Sequence, residues 1–300
     1  MRPTSRAAEV AELAELGVAT FEGDVTERAS MREAMSGAEV VVHAAADLDL
    51  SGPPTRMEAV NVGGSENVAS LASKLGVPRF VSISSVAAFG GSPADGRAAD
   101  ERTPPQLPLP TRYSDTKHRG ERAIRAWAAR GLAVVTLYPS LVYGPPGKKE
   151  GANALLRQLW LGRFPVMIGG EKRTSWVYLD DAVDGTVRAL ERAAPGSDYL
   201  LAGDIAPVAD VARRIAELGG ARPPRVELPI GAARLLLRLA LPLYRLRGRR
   251  PPMPISQLAS LERHWAFDDA KARRELDWRP RSLAEGLHRT VDSLFRPVER

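Results

Sequence analysis

Residues 113–140 read YSDTKHRGERAIRAWAARGLAVVTLYPS. The first eighteen carry a helical pattern, and Gly131 stands where a left-handed residue closes a helix. LAVVTLYPS (132–140) is then a short, valine-rich apolar run without alternation, as in a strand covered on both faces. Upstream, RFVSISS (79–85) is a second run of that kind. A strand, a helix and a strand at this spacing make two parallel strands joined by a helical crossover.

The same alternation extends toward the start. VATFEGD (18–24) reads as a strand ending in a Gly-Asp turn. TERASMREAMSG (26–37) reads as a helix with Thr26 as its cap and Gly37 at its stop. AEVVVHAAA (38–46) reads as a buried strand, and residues from about 55 to 75 as a helix stopped by GVP. The fold class is α/β, a Rossmann-like doubly wound parallel sheet. After Gly144-Pro145-Pro146-Gly147 the elements shorten. The expected division is a sheet domain over 1–147, with parts of 165–205, and a smaller lobe over 148–300. In such sheets ligands sit outside the carboxyl ends of the strands.

Composition narrows the chemistry. The chain has 300 residues, 44% of them hydrophobic, enough for a real core. It has no cysteine, which excludes disulfides, thiolate zinc sites and cysteine nucleophiles and fits a reducing compartment; the cytoplasm is the expected location. His43, His118, His264 and His288 form no ligand-spaced cluster, so no metal is expected. The net charge is +6, but basic and acidic residues are interspersed, and aromatic residues do not alternate with basic ones as stacking platforms do. Nucleic acid is therefore not an expected partner. No run reaches the roughly 20 apolar residues of a spanning helix.

Tyr113 and Lys117 lie four residues apart on the expected helix. Four residues turn about 400°, so the two share a face. A free tyrosine titrates near 10 and is a poor acid–base group at neutral pH. An adjacent ammonium favours the phenolate, so the pair could exchange a proton with a carbinol or carbonyl oxygen. The spacing alone is also met by exposed polar pairs. The strand-end serines of SISS, with a hydroxyl pointing into the crevice, make the combination more informative than either part.

Taken together, FEGDVTE, VVHAAA, NVGGSENV, SSVAAFG, YSDTK, LYPSLVYGP, SWVYLDDAVDG and FDDAKARRELDWRPRSLAEGL resemble the extended short-chain dehydrogenase/reductase family. This is the NAD-dependent epimerase/dehydratase group, including its dihydroflavonol reductase-like, 3β-hydroxysteroid dehydrogenase-like and nucleotide-sugar epimerase-like members. The resemblance covers nearly the whole chain and implies NAD or NADP as cofactor and a small-molecule substrate. The sheet domain over 1–147 would then be the dinucleotide-binding domain, and the lobe over 148–300 mainly substrate-binding. It makes Tyr113 the general acid/base and Lys117 the residue that lowers its pKa and bonds the ribose. Ser85, rather than Ser84, becomes the hydroxyl that bonds the substrate oxygen. Asn61 would fix the active-site backbone through water. Asp24 and Val25 would meet the adenine, Ala44, Ala45 and Ala46 would pass the cofactor, and Pro139 and Val142 would cradle the nicotinamide.

The chain departs from that pattern in one major respect. The family opens with a strand and a glycine loop, G-x-x-G-x-x-G, whose backbone approaches the diphosphate at a helix N-terminus. MRPTSR resembles the segment just after the family's second strand, so the first strand, first helix and second strand are missing. The expectation is an N-terminally truncated version of a longer chain; the rival is a short protein that has lost dinucleotide binding. Smaller departures are Asp277 in place of a glycine after a helix, which Asp tolerates, and Tyr138 in place of the arginine of many sugar epimerases. Tyr138 tilts the reading toward an oxidoreductase, with a nucleotide-sugar epimerase and a catalytically inactive binding protein as alternatives. Val86 and Ala87 stand where the family's dehydratases carry Asp-Glu. Arg2 stands where NADP-preferring members place a phosphate-binding arginine, and its other reading is an exposed terminal residue.

Two other stretches carry their own signals. GAARLLLRLALPLYRLRGRR (231–250) places Arg234, Arg238 and Arg245 within about 40° of one another, opposite a leucine-rich face. The favoured reading is a lobe helix that packs its leucines on the substrate cavity and is broken at Pro242; peripheral membrane contact is the less favoured one. Asp180 and Asp181 are explained by a helix N-terminus, where carboxylates cap exposed amides. A homodimer is an open expectation.

Overall fold

The structure, a computed structural model, describes residues 7–50, 52–147, 151–164, 166–246 and 255–296. The chain begins α1 (Ala7–Glu15), α2 (Arg32–Met35), β1 (Val40–His43), α3 (Pro54–Glu58), α4 (Gly64–Lys74), β2 (Arg79–Ile83), α5 (Arg112–Ala128), β3 (Val134–Pro139). It continues β4 (Leu141–Tyr143), α6 (Gly151–Trp160), β5 (Val166–Ile168), β6 (Arg173–Tyr178), α7 (Leu179–Arg192), β7 (Asp198–Leu201), β8 (Asp204–Pro207), α8 (Val208–Leu218). It ends β9 (Val226–Leu228), α9 (Ile230–Leu246), α10 (Ile255–Leu261), α11 (Ala270–Leu276) and α12 (Leu283–Thr290). Two compact units divide it: Met1–Ser84, Arg112–Leu137 and Ala194–Asp198 make the first, and Ser85–Thr111, Tyr138–Ala193 and Tyr199–Arg300 the second. The division differs from the expected one at 147, because residues 85–111 belong with the C-terminal half, which is the longer unit. Arg2 and residues 247–254 lie outside the described residues.

The main sheet has the order β1-β2-β3-β7. β1 pairs with β2, and β2 with β3, in parallel. The crossovers between them are the α3–α4 segment and α5, as the alternating pattern requires. Phe80 and Val81 of β2 are fully buried, which explains why that strand reads as an unbroken apolar run. The first unit's core is formed by Val68, Leu71 and Ala72 of α4, Ile124 of α5, and Phe80, Leu132 and Val134.

Three expectations for this unit are corrected. Residues 18–24 form no strand. A strand exists only within a ladder, and none of the described strands pairs with this segment; Val18 and Phe21 are exposed. The helix expected over 26–37 shrinks to a 3-10 turn, Arg28–Met31, and the single turn of α2. Thr26 does not cap it; its amide and hydroxyl instead donate to the Asp24 carboxylate, both at 2.8 Å. AEVVVHAAA is a strand only over Val40–His43, and it is covered on one face. Being the edge strand, β1 leaves Val40 and Val42 39% and 44% exposed.

In the second unit β4-β6-β8 form one small sheet and β5-β9 another. Trp176 and Tyr178 of β6, Leu156 of α6, Ile215 of α8 and Leu287 of α12 fill its largest core. Val86, Phe89, Tyr138, Leu200 and Phe267 fill a smaller one. α11 ends at Asp277, whose φ of 53° is the left-handed conformation an aspartate tolerates. α9 departs from expectation: it runs through Pro242 without a break, and four of its leucines are exposed. Leu235, Leu236, Leu239 and Leu246 are 59%, 55%, 68% and 85% exposed.

Candidate active site

α5 carries Tyr113 and Lys117, the pair expected to exchange a proton. Its buried face is Ser114, Thr116, Gly120 and Ile124, and Tyr113 and Lys117 are half-buried at its start. The helical repeat sets these two on one face, one turn apart. Lys117 reaches back to the sheet: its Nζ donates to the Ile83 carbonyl at the end of β2, at 2.9 Å. Burial brings its pKa down to about 8, with Glu121 opposing the shift. The ammonium form still predominates at neutral pH, so the positive charge that favours a phenolate beside it is retained.

The two serines after β2 have different partners. Ser84 is buried and its hydroxyl donates to Glu121 of α5 at 3.1 Å. Ser85 begins the second unit and caps the 3-10 turn Val86–Phe89, its Oγ accepting the Ala87 amide at 3.2 Å. That bond uses a lone pair and leaves the hydroxyl proton for another acceptor. Of the two, Ser84 has committed its hydroxyl proton and Ser85 has not.

Asn61 lies in a π-helical turn, Ala59–Gly63, between α3 and α4. It is buried, and its side chain is engaged within the protein. Nδ2 donates to the Asp47 carbonyl and to Thr116 Oγ1, both at 3.0 Å, and Oδ1 accepts the Asp47 amide at 2.6 Å. Thr116 Oγ1 also donates to the Tyr113 carbonyl at 3.2 Å. Asn61 therefore ties the segment after β1 to α5, between Tyr113 and Lys117. Its own carbonyl accepts Ser65 Oγ at 2.7 Å. Because that serine proton is committed, His43 Nε2, 3.2 Å from the same oxygen, is assigned as the donor. Burial, and then the Lys117 charge, holds the His43 pKa down to about 4, so the ring is neutral.

The residues expected along the cofactor are more scattered. Asp24 is exposed and engaged by Thr26. Val25 is half-buried; its carbonyl accepts Asn67 Nδ2 at 3.0 Å, and a Cβ on Gly64 would stand 2.7 Å from its side chain. Ala44 and Ala45 are exposed and Ala46 half-buried, just past β1. In the second unit Pro139 ends β3 and Val142 pairs with Val177 of β6.

Sequence reasoning missed Asp47, Thr116, Ser65 and the role of His43. Only Thr116 carried a local signal, its place between Tyr113 and Lys117. The second unit also holds a charged cleft of about 400 Å³ lined by Asp100, Glu101, Arg102, Lys271, Arg274 and Glu275. It contains none of the expected site residues, and its charges pair among themselves, Arg102 with Asp100 and Arg274 with Glu275.

The sequence profile of the NAD dependent epimerase/dehydratase family matches residues 2–202. The chain is 28% identical over 292 residues to the 2-alkyl-3-oxoalkanoate reductase of Stenotrophomonas maltophilia, covering 93% of this chain and 87% of that one. It is 29% identical over 281 residues to the 3 beta-hydroxysteroid dehydrogenase/Delta 5-->4-isomerase of Mycobacterium tuberculosis, covering 87% and 74%. Among solved structures, the protein gox2253 superposes with a TM-score of 0.83 at 29% identity, covering 98% of this chain and 88% of that one. The chain belongs to the NAD-dependent epimerase/dehydratase family and is an enzyme of the extended short-chain dehydrogenase/reductase type.

Proposed function

We propose that the protein is an NAD(P)-dependent oxidoreductase acting on a carbonyl or alcohol carbon of a small organic substrate. The observation that carries this is Lys117. Its ammonium is half-buried one turn from Tyr113 and anchored by one bond to the end of β2. An ammonium has three donors, so two are left for a ribose diol. Ser85, two residues past the carbonyl that anchors Lys117, has a hydroxyl proton to give. These donors fit the nicotinamide-ribose end of NAD or NADP. The 300 residues contain no G-x-x-G-x-x-G loop for the diphosphate, so no residue is assigned to that part.

Bound cofactor would supply or accept the hydride. The chain's own residues do the rest. Tyr113 gives a proton to the substrate oxygen in reduction and takes it in oxidation. The Lys117 ammonium, one turn away on the same helix face, favours the phenolate that this exchange forms. Ser85 is the hydroxyl that the family resemblance gives to the substrate oxygen, and Asn61 positions α5 through Thr116.

Tyr138 supports an oxidoreductase over a sugar epimerase. The ring is buried and packs edge-on against Phe89 at 5.0 Å, where many epimerases carry an arginine. The relatives named above include a reductase of 3-oxoalkanoates and a hydroxysteroid dehydrogenase, so alkyl or alicyclic ketones are the substrates to try. The purified chain is offered NADH and NADPH with such ketones, and reduced-cofactor absorbance is followed. Turnover should fall about 100-fold or more in Tyr113→Phe and Lys117→Met, the span attributed to general acid–base catalysis. Full activity in either variant, or no cofactor binding by the folded chain, would sink the proposal.

A further inference from the structure

We propose that the exposed leucine face of α9 docks on an anionic phospholipid surface, with the helix lying in the headgroup plane. Taking Leu235 as the origin at about 100° per residue, Leu246 falls near 20°, Leu239 near 40° and Leu236 near 100°. These four form one apolar stripe, and all are more than half exposed. The opposite face of the same helix is the one that packs: Ala233 is buried, and Leu237, Leu241 and Tyr244 are half-buried. A helix that is apolar all round is normally covered all round; this one covers half of itself.

Charge selects the occupant. From Leu228 to Leu261 the sequence has six arginines and no aspartate or glutamate. Arg238 is exposed on one flank of the leucine stripe, near −60°. Arg234, beside it, pairs with Glu262 of the same unit. Leucines facing one way with arginines on the flank suit a helix at a lipid interface, where the apolar face enters the acyl boundary and the guanidinium groups stay among phosphates. α9 has 17 residues, and no helix among the described residues is long and apolar enough to cross a membrane. The geometry is that of a helix lying on a bilayer. The inference does not rest on the catalytic reading.

The experiment is flotation of the full chain with vesicles of phosphatidylcholine plus phosphatidylglycerol, and with phosphatidylcholine alone. The anionic vesicles should bind it about tenfold or more tightly than the neutral ones, and binding should weaken as salt rises. Leu235→Ser/Leu239→Ser, which keeps every charge, and Arg238→Glu should each lose about tenfold. Circular dichroism establishes that the variants are folded, and the wild-type comparison of the two lipids stands without them. No binding to anionic vesicles overturns the proposal, as does equal binding by the double leucine variant, which would mean adsorption by net charge. Light scattering that shows a dimer lost in the leucine variant, without vesicle binding, assigns the face to a second copy and overturns it as well.

Discussion

Gly120 shows how tightly the site's helices are set. A Cβ there would stand 2.2 Å from the Asn61 carbonyl oxygen and 3.1 Å from Ser65 Oγ. Gly120→Ala gains about 1 kcal/mol of helix propensity but must push α5 off a backbone oxygen, at a cost of about 1–3 kcal/mol. The net expectation is a less stable protein, read as a lower urea midpoint, and an unchanged or higher midpoint refutes the close approach. His43 gives a second prediction, in acid. Unfolded, the ring binds a proton near 6.5; folded, it does so only near 4. The unfolded state then holds more protons between those values, so stability falls as pH drops through the window, by about 3 kcal/mol in all. His43→Gln should flatten the acid limb of a plot of unfolding free energy against pH. A limb as steep as the wild type's means the histidine is not responsible. Tyr113, Lys117 and Ser85 could be named as candidates because their signals are local: a four-residue spacing and a strand end. The bonds of Asn61 to Asp47 and Thr116, 14 and 55 residues away, leave no such trace.

Among the elements, α7 and the segment after α11 form the most specific junction. Asp181, expected to serve only as a helix-start carboxylate, is buried and grips Arg281. It accepts the Arg281 amide at 3.0 Å and its guanidinium at 3.0 Å. The same guanidinium lies over the Tyr178 ring at 4.2 Å, and Trp278 Nε1 donates to the Asp181 carbonyl at 2.7 Å. Asp180, its neighbour, is largely exposed. Asp181→Asn leaves a mostly buried guanidinium with only the exposed Asp180, at 3.7 Å, as counter-charge, which costs about 3 kcal/mol; Asp180→Asn should change little. Equal urea midpoints for the two variants would contradict the assignment. The same non-locality decides which elements could be read in advance. α5 and β3 carry their own periodicity and came out within two residues of expectation. Residues 18–24 have strand composition, but a strand is a property of a pair. In α9 both faces are apolar, so the sequence could not say which would be covered.

Across the whole molecule, net charge and an open sheet edge act against each other. A charge of +6 keeps copies apart at low ionic strength. β1 pairs with β2 alone, so among the described residues its other side has no ladder partner, and Val40 and Val42 stand exposed beside that edge. Flat apolar edges of this kind recruit further strands, and lysine on the edge is the usual protection. Self-association should therefore rise with protein concentration and with salt, since at about 0.15 M the charges are screened beyond roughly 8 Å. Val42→Lys places a charge on the exposed face of β1 and leaves the register with Val81 intact. Its light-scattering mass should stay nearer the monomer at high salt than that of the wild type, with unchanged circular dichroism. A wild-type mass that ignores both concentration and salt would show that the edge is silent. Association undiminished in Val42→Lys but lost on replacing the leucines of α9 would move its origin to that helix.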